Sequence, residues 1–308
     1  MGVMRSALLW VSRNDWMRET LPRYRFMRRA VNRFMPGEQA EDALDAAGLL
    51  KANGFSTVFT RLGENVRNEA EADEVTKHYC ALADDIAARR LDGHISVKLT
   101  QLGHDLDQNL SFRNLRLIIA QAEKHKNFVW IDMEGSAYTE STIKLFERIR
   151  SECSNVGLCL QSYLHRCLED IRRLSPLNPA IRLVKGAYAE PASIAYQKKS
   201  DVDENFVRCS LEMLNWGKQH GIVPVFGTHD TRLIDKIRQE AGKVGLSKGA
   251  LEFHLLYGIK RDEQSRLVRE GCRVRVLISY GSYWFPWYMR RLAERPANVA
   301  FVLKNLFG

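Results

Sequence analysis

At 308 residues, with 45% hydrophobic and 27% charged side chains, the chain has the composition of a globular protein of one large domain or two ordinary ones. That excludes a wholly disordered or collagen-like chain. The 46 Lys and Arg outweigh the 37 Asp and Glu, a formal charge of +9, which favours anionic partners such as phosphates, nucleic acid or acidic lipid and says nothing about fold.

The first stretch mixes basic and apolar residues. Arg23, Arg25, Arg28, Arg29 and Arg33 are interleaved with Tyr24, Phe26, Met27, Val31 and Phe34. The apolar members fall at core-facing intervals, so residues 1–52 are expected to form a helical arm packed on the domain that follows, with its arginines in solvent. A second reading of the pattern is an amphipathic helix lying on anionic lipid. Asn14 and Asp15 interrupt the short apolar stretch from Ala7 to Val11, against a cleaved signal peptide. No apolar run reaches the ~18 residues of a spanning helix. The six cysteines, at 80, 153, 159, 167, 209 and 272, form no C-x-x-C and no Cys/His cluster. Reduced thiols and a soluble, cytoplasmic protein are expected.

After Gly54 the pattern changes. Short β-branched or apolar runs recur, each followed by a longer stretch of helical periodicity: Ser56–Thr60, Ile95–Leu99, Phe128–Asp132, Gly157–Gln161, Ile181–Lys185, Val223–Gly227, Leu251–Leu255 and Val274–Ile278. Helix signals lie between them. Asp201 precedes an amphipathic run to His220, and Gly221 supplies a stop. Strands alternating with helices predict a parallel sheet covered by helices, and eight such units over residues 53–308 predict an α/β fold, a (β/α)8 barrel. A doubly wound open sheet is the alternative, but no G-x-G-x-x-G follows the first run.

In such a barrel, chemistry belongs at the carboxyl ends of the strands. Those positions hold Lys98, Asp132, Gln161, Arg182, Lys185 with Gly186 and Ala187, and Thr228 with His229; the last helix carries Arg290, Arg291 and Glu294. Buried strands read as apolar runs, so Lys98, Arg182 and Lys185 each require a charged partner. Five cations with one aspartate on one rim suit a ligand bearing phosphates and a substrate bearing a carboxylate. Gly186 lets a backbone amide approach a ligand closely. A metal site is not expected, because Asp132, Glu134 and His229 are few and surrounded by cations. Thiol catalysis is not expected either, since Cys159 sits mid-strand.

Eight segments resemble the monofunctional bacterial proline dehydrogenases, flavoenzymes built on a distorted (β/α)8 barrel. They are SVKLTQLG from Ser96, FVWIDMEGS from Phe128, LQSYLHR from Leu160, IRLVKGAYAEP from Ile181, SDVDENF from Ser200, GTHD from Gly227, EFHLLYGI from Glu252 and YMRRLAERPANV from Tyr288, in the family's order. The resemblance implies oxidation of L-proline to Δ1-pyrroline-5-carboxylate by hydride transfer to N5 of a non-covalent FAD, with electrons passed to a membrane quinone. It makes Lys98, Arg290 and Arg291 the clamp for the substrate carboxylate, with Glu294 holding the arginine pair. Asp132 and Arg182 take catalytic positions, Arg182 near flavin N5. Met133, Gln161, Val184, Lys185, Gly186, Ala187, Thr228 and His229 fall on flavin-binding positions. A quinone acceptor fits peripheral contact with the inner face of the cytoplasmic membrane.

Two positions depart from the family pattern. Leu277 and Trp287 stand where relatives usually carry tyrosines that line the substrate pocket, so a substituted proline such as hydroxyproline is an alternative substrate. Other readings are a Schiff-base barrel enzyme with Lys185 or Lys98 as nucleophile, and a basic RNA-binding protein. The chain carries no RNA-recognition signature and no aromatic interleaving of a stacking platform, so nucleic acid is not an expected partner.

Overall fold

The computed structural model describes residues 31–63 and 65–294, with side chains as far as Met289. Eight parallel strands close in sequence order into one barrel. They are β1 (Ser56–Arg61), β2 (Gly93–Val97), β3 (Val129–Ile131), β4 (Val156–Gln161), β5 (Ala180–Val184), β6 (Val225–Gly227), β7 (Glu252–Leu256) and β8 (Arg273–Tyr280). The pairing of β8 back onto β1, from Ser56 opposite Arg275 to Arg61 opposite Tyr280, seals the ring. All eight predicted runs lie on these strands, with ends displaced by a residue or two. The (β/α)8 expectation is borne out.

The helices are α1 (Ala40–Lys51), α2 (Glu69–Ala88), α3 (Gln108–Lys124), α4 (Ser136–Arg150), α5 (Cys167–Leu174), α6 (Lys199–His220), α7 (Thr231–Lys243), α8 (Arg261–Arg269) and α9 (Trp284–Glu294). Local chemistry sets several ends. Asn68 caps α2 by accepting from the Glu71 amide at 2.9 Å, and Asp107 caps α3 through the Asn109 amide at 2.9 Å. Gly221 ends α6 in the left-handed region, as its sequence position predicts. The start of α6 differs from expectation. It begins at Lys199, which puts Asp201 inside the first turn, where a carboxylate still meets the positive end of the helix dipole.

Alternation along the strands divides the apolar residues into two unequal sets. The outward faces, including Phe59, Ile95, Ile131, Leu158, Leu183, Phe253 and Val276, pack with helix residues such as Leu82, Ile118, Phe146, Ile171, Leu214 and Leu267. That annulus is the hydrophobic core. At roughly 1.5–3 kcal/mol for each large side chain fully buried, it dominates the stabilisation of the fold. The inward faces contribute only a small cluster of Val58, Trp130 and Val225, flanked by Phe128, Ala180 and Leu277. The rest of the lumen is polar.

The described residues before the barrel are not helical throughout. Residues 32–39 form turns ahead of α1, with Val31 and Met35 buried and α1 packing Ala43, Leu44 and Ala47 into the core of the barrel. This stretch also docks on α9: Phe34 meets the Tyr288 ring at 6.0 Å, and the Trp284 indole donates to Glu38 at 2.9 Å. Arg23, Arg25, Arg28 and Arg29 lie outside the described residues, as does the segment after Glu294.

The loop after β7 carries Gly258 with φ +73°, and a Cβ built there would sit 1.7 Å from the Arg33 carbonyl oxygen. Gly258→Ala therefore combines left-handed strain with a backbone collision that a side-chain rotation does not relieve. We expect a loss of roughly 1–3 kcal/mol of stability, read as a lower thermal midpoint, with faster proteolysis near Arg33. An unchanged midpoint would mean that the arm does not rest on this loop.

Candidate active site

The carboxyl ends of β2, β3, β4 and β5 bring together Ser96, Asp132, Gln161 and Arg182. Arg182 points into the lumen from β5 and is 2% exposed. Its Nη2 donates to Asp132 Oδ1 and to Ser96 Oγ at 3.0 Å, while Ser96 Oγ donates to the same Asp132 oxygen at 2.9 Å. The guanidinium carbon lies 5.1 Å from the centre of the Trp130 ring. Burial acts to lower the Arg182 pKa, and the Asp132 charge outweighs it, so the guanidinium stays charged. Asp132 retains 21% side-chain exposure. One buried cation is thus fixed beneath the rim, with its carboxylate partner facing the opening.

Deeper in the lumen the polar chain continues. Arg182 Nη1 approaches His254 Nδ1 at 3.4 Å, and His254 Nε2 meets Glu252 Oε1 at 2.7 Å. Arg275 Nε donates to that Glu252 oxygen at 3.1 Å, and its Nη1 donates to Asp92 Oδ1 at 2.8 Å. The series runs from the carboxyl rim to the amino rim of the barrel. His254, Glu252, Arg275 and Ser96 hold no role in the sequence-based reading. Their signal was present in Glu252-x-His254 and Arg273-x-Arg275, since alternate residues of a strand share one face.

Lys185, past the end of β5, donates to Asp203 Oδ1 at 2.5 Å and to Asp230 Oδ2 at 3.1 Å; Lys199 engages the same two carboxylates. Burial pushes the Asp230 carboxyl up, but hydrogen bonds and charge from Lys185 and Lys199 outweigh it and hold it well below the usual range. The rim therefore carries three aspartates where the sequence-based reading counted one. Lys185 and Arg182 both have their required partners. Lys98 is half-buried just past β2, and its side chain has no ion pair or hydrogen bond among the described residues.

Around the rim, the buried Gln161 amide donates to the Met133 carbonyl at 3.1 Å, and its Oε1 has no hydrogen-bond partner among the described residues. Val184, the last residue of β5, and Lys185, Gly186 and Ala187 after it form a half-buried strip. Gly186 has φ +109°, and a Cβ there would lie 2.2 Å from the Tyr163 ring. Thr228 is buried after β6, and His229 Nε2 accepts from the Leu256 amide at 2.8 Å, which places the ring proton on Nδ1. Met133, Gln161, Val184–Ala187, Thr228 and His229 thus lie along adjoining carboxyl strand ends. Leu277 sits in the lumen cluster with Trp130, and Trp287 is buried on α9 at 8% exposure. The backbone places Arg290, Arg291 and Glu294 in the last turns of α9; their side chains lie outside the described ones.

The proline dehydrogenase family profile matches residues 43–304. The chain belongs to the proline dehydrogenase family. It is 36% identical over 304 residues to proline dehydrogenase 2 of Bacillus subtilis strain 168, covering 99% of each chain. It is 38% identical over 281 residues to the proline dehydrogenase of Deinococcus radiodurans, covering 90% of this chain and 89% of that one. The monofunctional bacterial type is the one matched. Among solved structures, proline utilization A from Bdellovibrio bacteriovorus superposes with a TM-score of 0.81 at 24% identity, and that from Bradyrhizobium japonicum with 0.74 at 21%. These cover 94% and 90% of this chain but only 36% and 32% of the solved ones, so the chain spans about a third of those longer proteins. That likeness shows the fold. Among the described residues no helix is long and apolar enough to cross a membrane.

Buried and half-buried imidazoles, two in the lumen and one on α2, are expected to make the protein sensitive to acid. Burial pushes the His254 imidazole down to about 4 against the pull of Glu252, and burial with the Arg275 charge pushes His94 down to about 3. Burial and the nearby Arg61 charge push His78 down to about 4. Between pH 6.5 and 4 the unfolded chain therefore binds more protons than the folded one, so stability falls as pH falls through that window. The thermal midpoint should be highest above pH 6.5 and drop steadily toward pH 4. A midpoint that is flat across the window would show that these imidazoles are solvated.

Proposed function

We propose that this protein oxidises L-proline to Δ1-pyrroline-5-carboxylate with a non-covalent FAD, and that a quinone reoxidises the flavin. The observation that carries this reading is the buried Arg182–Asp132 pair at the carboxyl rim of a proline dehydrogenase barrel, together with a half-buried Lys98 whose side chain has no ion pair or hydrogen bond among the described residues. The residues present fit a flavin. Gln161 Oε1, without a hydrogen-bond partner among the described residues, would accept from a ring N–H, and the half-buried strip 184–187 at the end of β5 would offer it backbone groups. Gln161, the Met133 backbone, Val184, Lys185, Gly186, Ala187, Thr228 and His229 would hold it. When bound, the flavin supplies the two-electron acceptor for the hydride on proline C5.

The chain's own groups do the rest. Lys98 with Arg290 and Arg291 binds the substrate carboxylate, and Glu294 steadies the arginine pair. Adjacent guanidiniums suit a carboxylate's two oxygens, which fixes the ring's orientation as well as its position. Arg182 presents a fixed positive charge where negative charge develops, and Asp132 and Ser96 hold it there at no cost of reorganisation. Lys185, neutralised by Asp203 and Asp230, serves as a braced donor rather than a free charge. That bracing also argues against Lys185 as a Schiff-base nucleophile, because its nitrogen is held between two carboxylates rather than free to attack. The quinone suggests peripheral contact at a membrane face, with the basic arm as the contacting element.

Purified protein should be yellow, bleach on anaerobic addition of L-proline, and release its flavin into the supernatant on acid precipitation. A colourless protein, or one unaffected by proline, would sink the proposal; colour retained in the pellet would reject the non-covalent link.

Leu277 and Trp287 shape the pocket. Leucine offers an apolar wall next to Trp130, and indole carries a single donor. A site without a polar group at that wall discriminates weakly against an added hydroxyl, by roughly 100-fold or less. We expect the ratio of kcat/KM for proline to that for trans-4-hydroxyproline to change in Leu277→Tyr and Trp287→Tyr. An identical ratio in wild type and both variants would assign the two residues to packing alone.

A further inference from the structure

Arg182 can do its work only if its guanidinium plane is fixed, and two of its holders, Asp132 and Ser96, act on one nitrogen, Nη2. Rotation about that nitrogen is opposed by what faces the rest of the guanidinium: the Cys159 thiol, which pairs with Arg182, and, at Nη1, His254. An imidazole restrains an arginine only if the facing nitrogen is a bare acceptor; a protonated nitrogen repels it. The next residue decides the matter. Glu252 is 8% exposed on its side chain, and its Oε1 takes hydrogen bonds from Arg275 Nε at 3.1 Å and from His254 Nε2 at 2.7 Å. A carboxylate accepts and does not donate, so the His254 proton sits on Nε2 and the lone pair of Nδ1 is turned to Arg182. Arg275, held in turn by Asp92, keeps Glu252 charged and in place. The His254 side chain is 2% exposed, and its ring stands edge-on to Trp130 at 5.4 Å, so it has little freedom to turn over.

We infer that His254 is a positioning residue for Arg182: a neutral imidazole, locked in its Nε2–H tautomer by the Glu252–Arg275 pair, accepts from Nη1 and sets the plane of the guanidinium. The arrangement has the form of a carboxylate–imidazole pair, yet nothing in it transfers a proton. Its product is the orientation of a cation. This inference rests on Arg182 facing the bound flavin, as proposed above.

Two measurements test it. The first uses the unaltered holoenzyme with 15N-labelled histidine, whose two-bond nitrogen–proton correlations report ring tautomers. His254, assigned from the signal missing in His254→Gln, should carry its proton on Nε2. A proton on Nδ1, or on both nitrogens at neutral pH, would overturn the inference without reference to flavin or activity. The second compares His254→Leu, which removes both polar contacts, with His254→Gln, whose amide can accept from Arg182 and donate to Glu252. The leucine variant should lower kcat roughly 10-fold with KM for proline changed no more than about twofold. It should also shift the equilibrium of flavin reduction by about tenfold, roughly 30 mV for a two-electron couple. The glutamine variant should restore most of both. Where the leucine variant does not fold, Glu252→Gln takes its place: it is isosteric, frees the tautomer, and should move potential and kcat in the same direction by a smaller factor. Folded, flavin-loaded His254 and Glu252 variants with wild-type potential and kcat would overturn the inference if Arg182→Met shifts both. An Arg182→Met enzyme with unchanged potential would instead remove the reading of Arg182 on which the inference stands.

Discussion

A charged pair inside a closed barrel is the constraint on which the rest of this structure depends. Arg182 and Asp132 sit on different strands, and neither tolerates its position without the other. Such a pair is weak support for stability, because withdrawing two charges from water offsets most of their attraction. Its presence makes demands on everything around it. Ser96 must supply a hydroxyl, Trp130 must offer a ring face, and His254 must be neutral. Glu252 must be charged to keep the His254 proton in place, and Arg275 must then answer Glu252. A requirement introduced at the carboxyl rim is met in steps down to Asp92 and Ser56 at the other end, where Ser56 donates to Asp92 at 2.5 Å.

The fold was legible because its signals are local and repeated. Each strand is a short apolar run, each helix has its own periodicity, and eight repetitions leave little choice of architecture. The positions of Lys98, Asp132, Gln161, Arg182 and Lys185 followed from counting to the end of each run. Their partners did not follow, because partnership across a barrel depends on register and tilt rather than on distance along the chain. Lys185 shows this. Its two carboxylates come from α6 and from the start of α7, and no spacing rule connects 185 with 203 and 230. The lumen residues of β7 and β8 were hidden differently: Glu252, His254 and Arg275 lie within otherwise apolar runs, where a charged side chain reads as an exception.

The start of α6 and the turns at 32–39 mark the limits of propensity. Asp201 is a good cap residue, but α6 has no side-chain cap and begins where Lys199 reaches Asp203 and Asp230. Tertiary contacts outweighed a contribution of about 1 kcal/mol. Before α1, Pro36 and Gly37 break what the surrounding residues would continue, and the resulting turns let Phe34 and Glu38 reach α9. The helix that bears Arg290 and Arg291 is therefore braced by chain from the opposite end of the sequence.

The apolar residues of this barrel form a sleeve between sheet and helices, and the polar residues form a thread through its middle. The two share strands but not faces. Cohesion and chemistry are thereby written in alternate letters of the same strands, one set facing the helices and the next facing the lumen. Substitution can revise the chemical text while the intervening letters go on spelling the same barrel. Divergence within such a fold should accumulate in steps of two residues along a strand, and a shift by a single residue would exchange the two texts and destroy both.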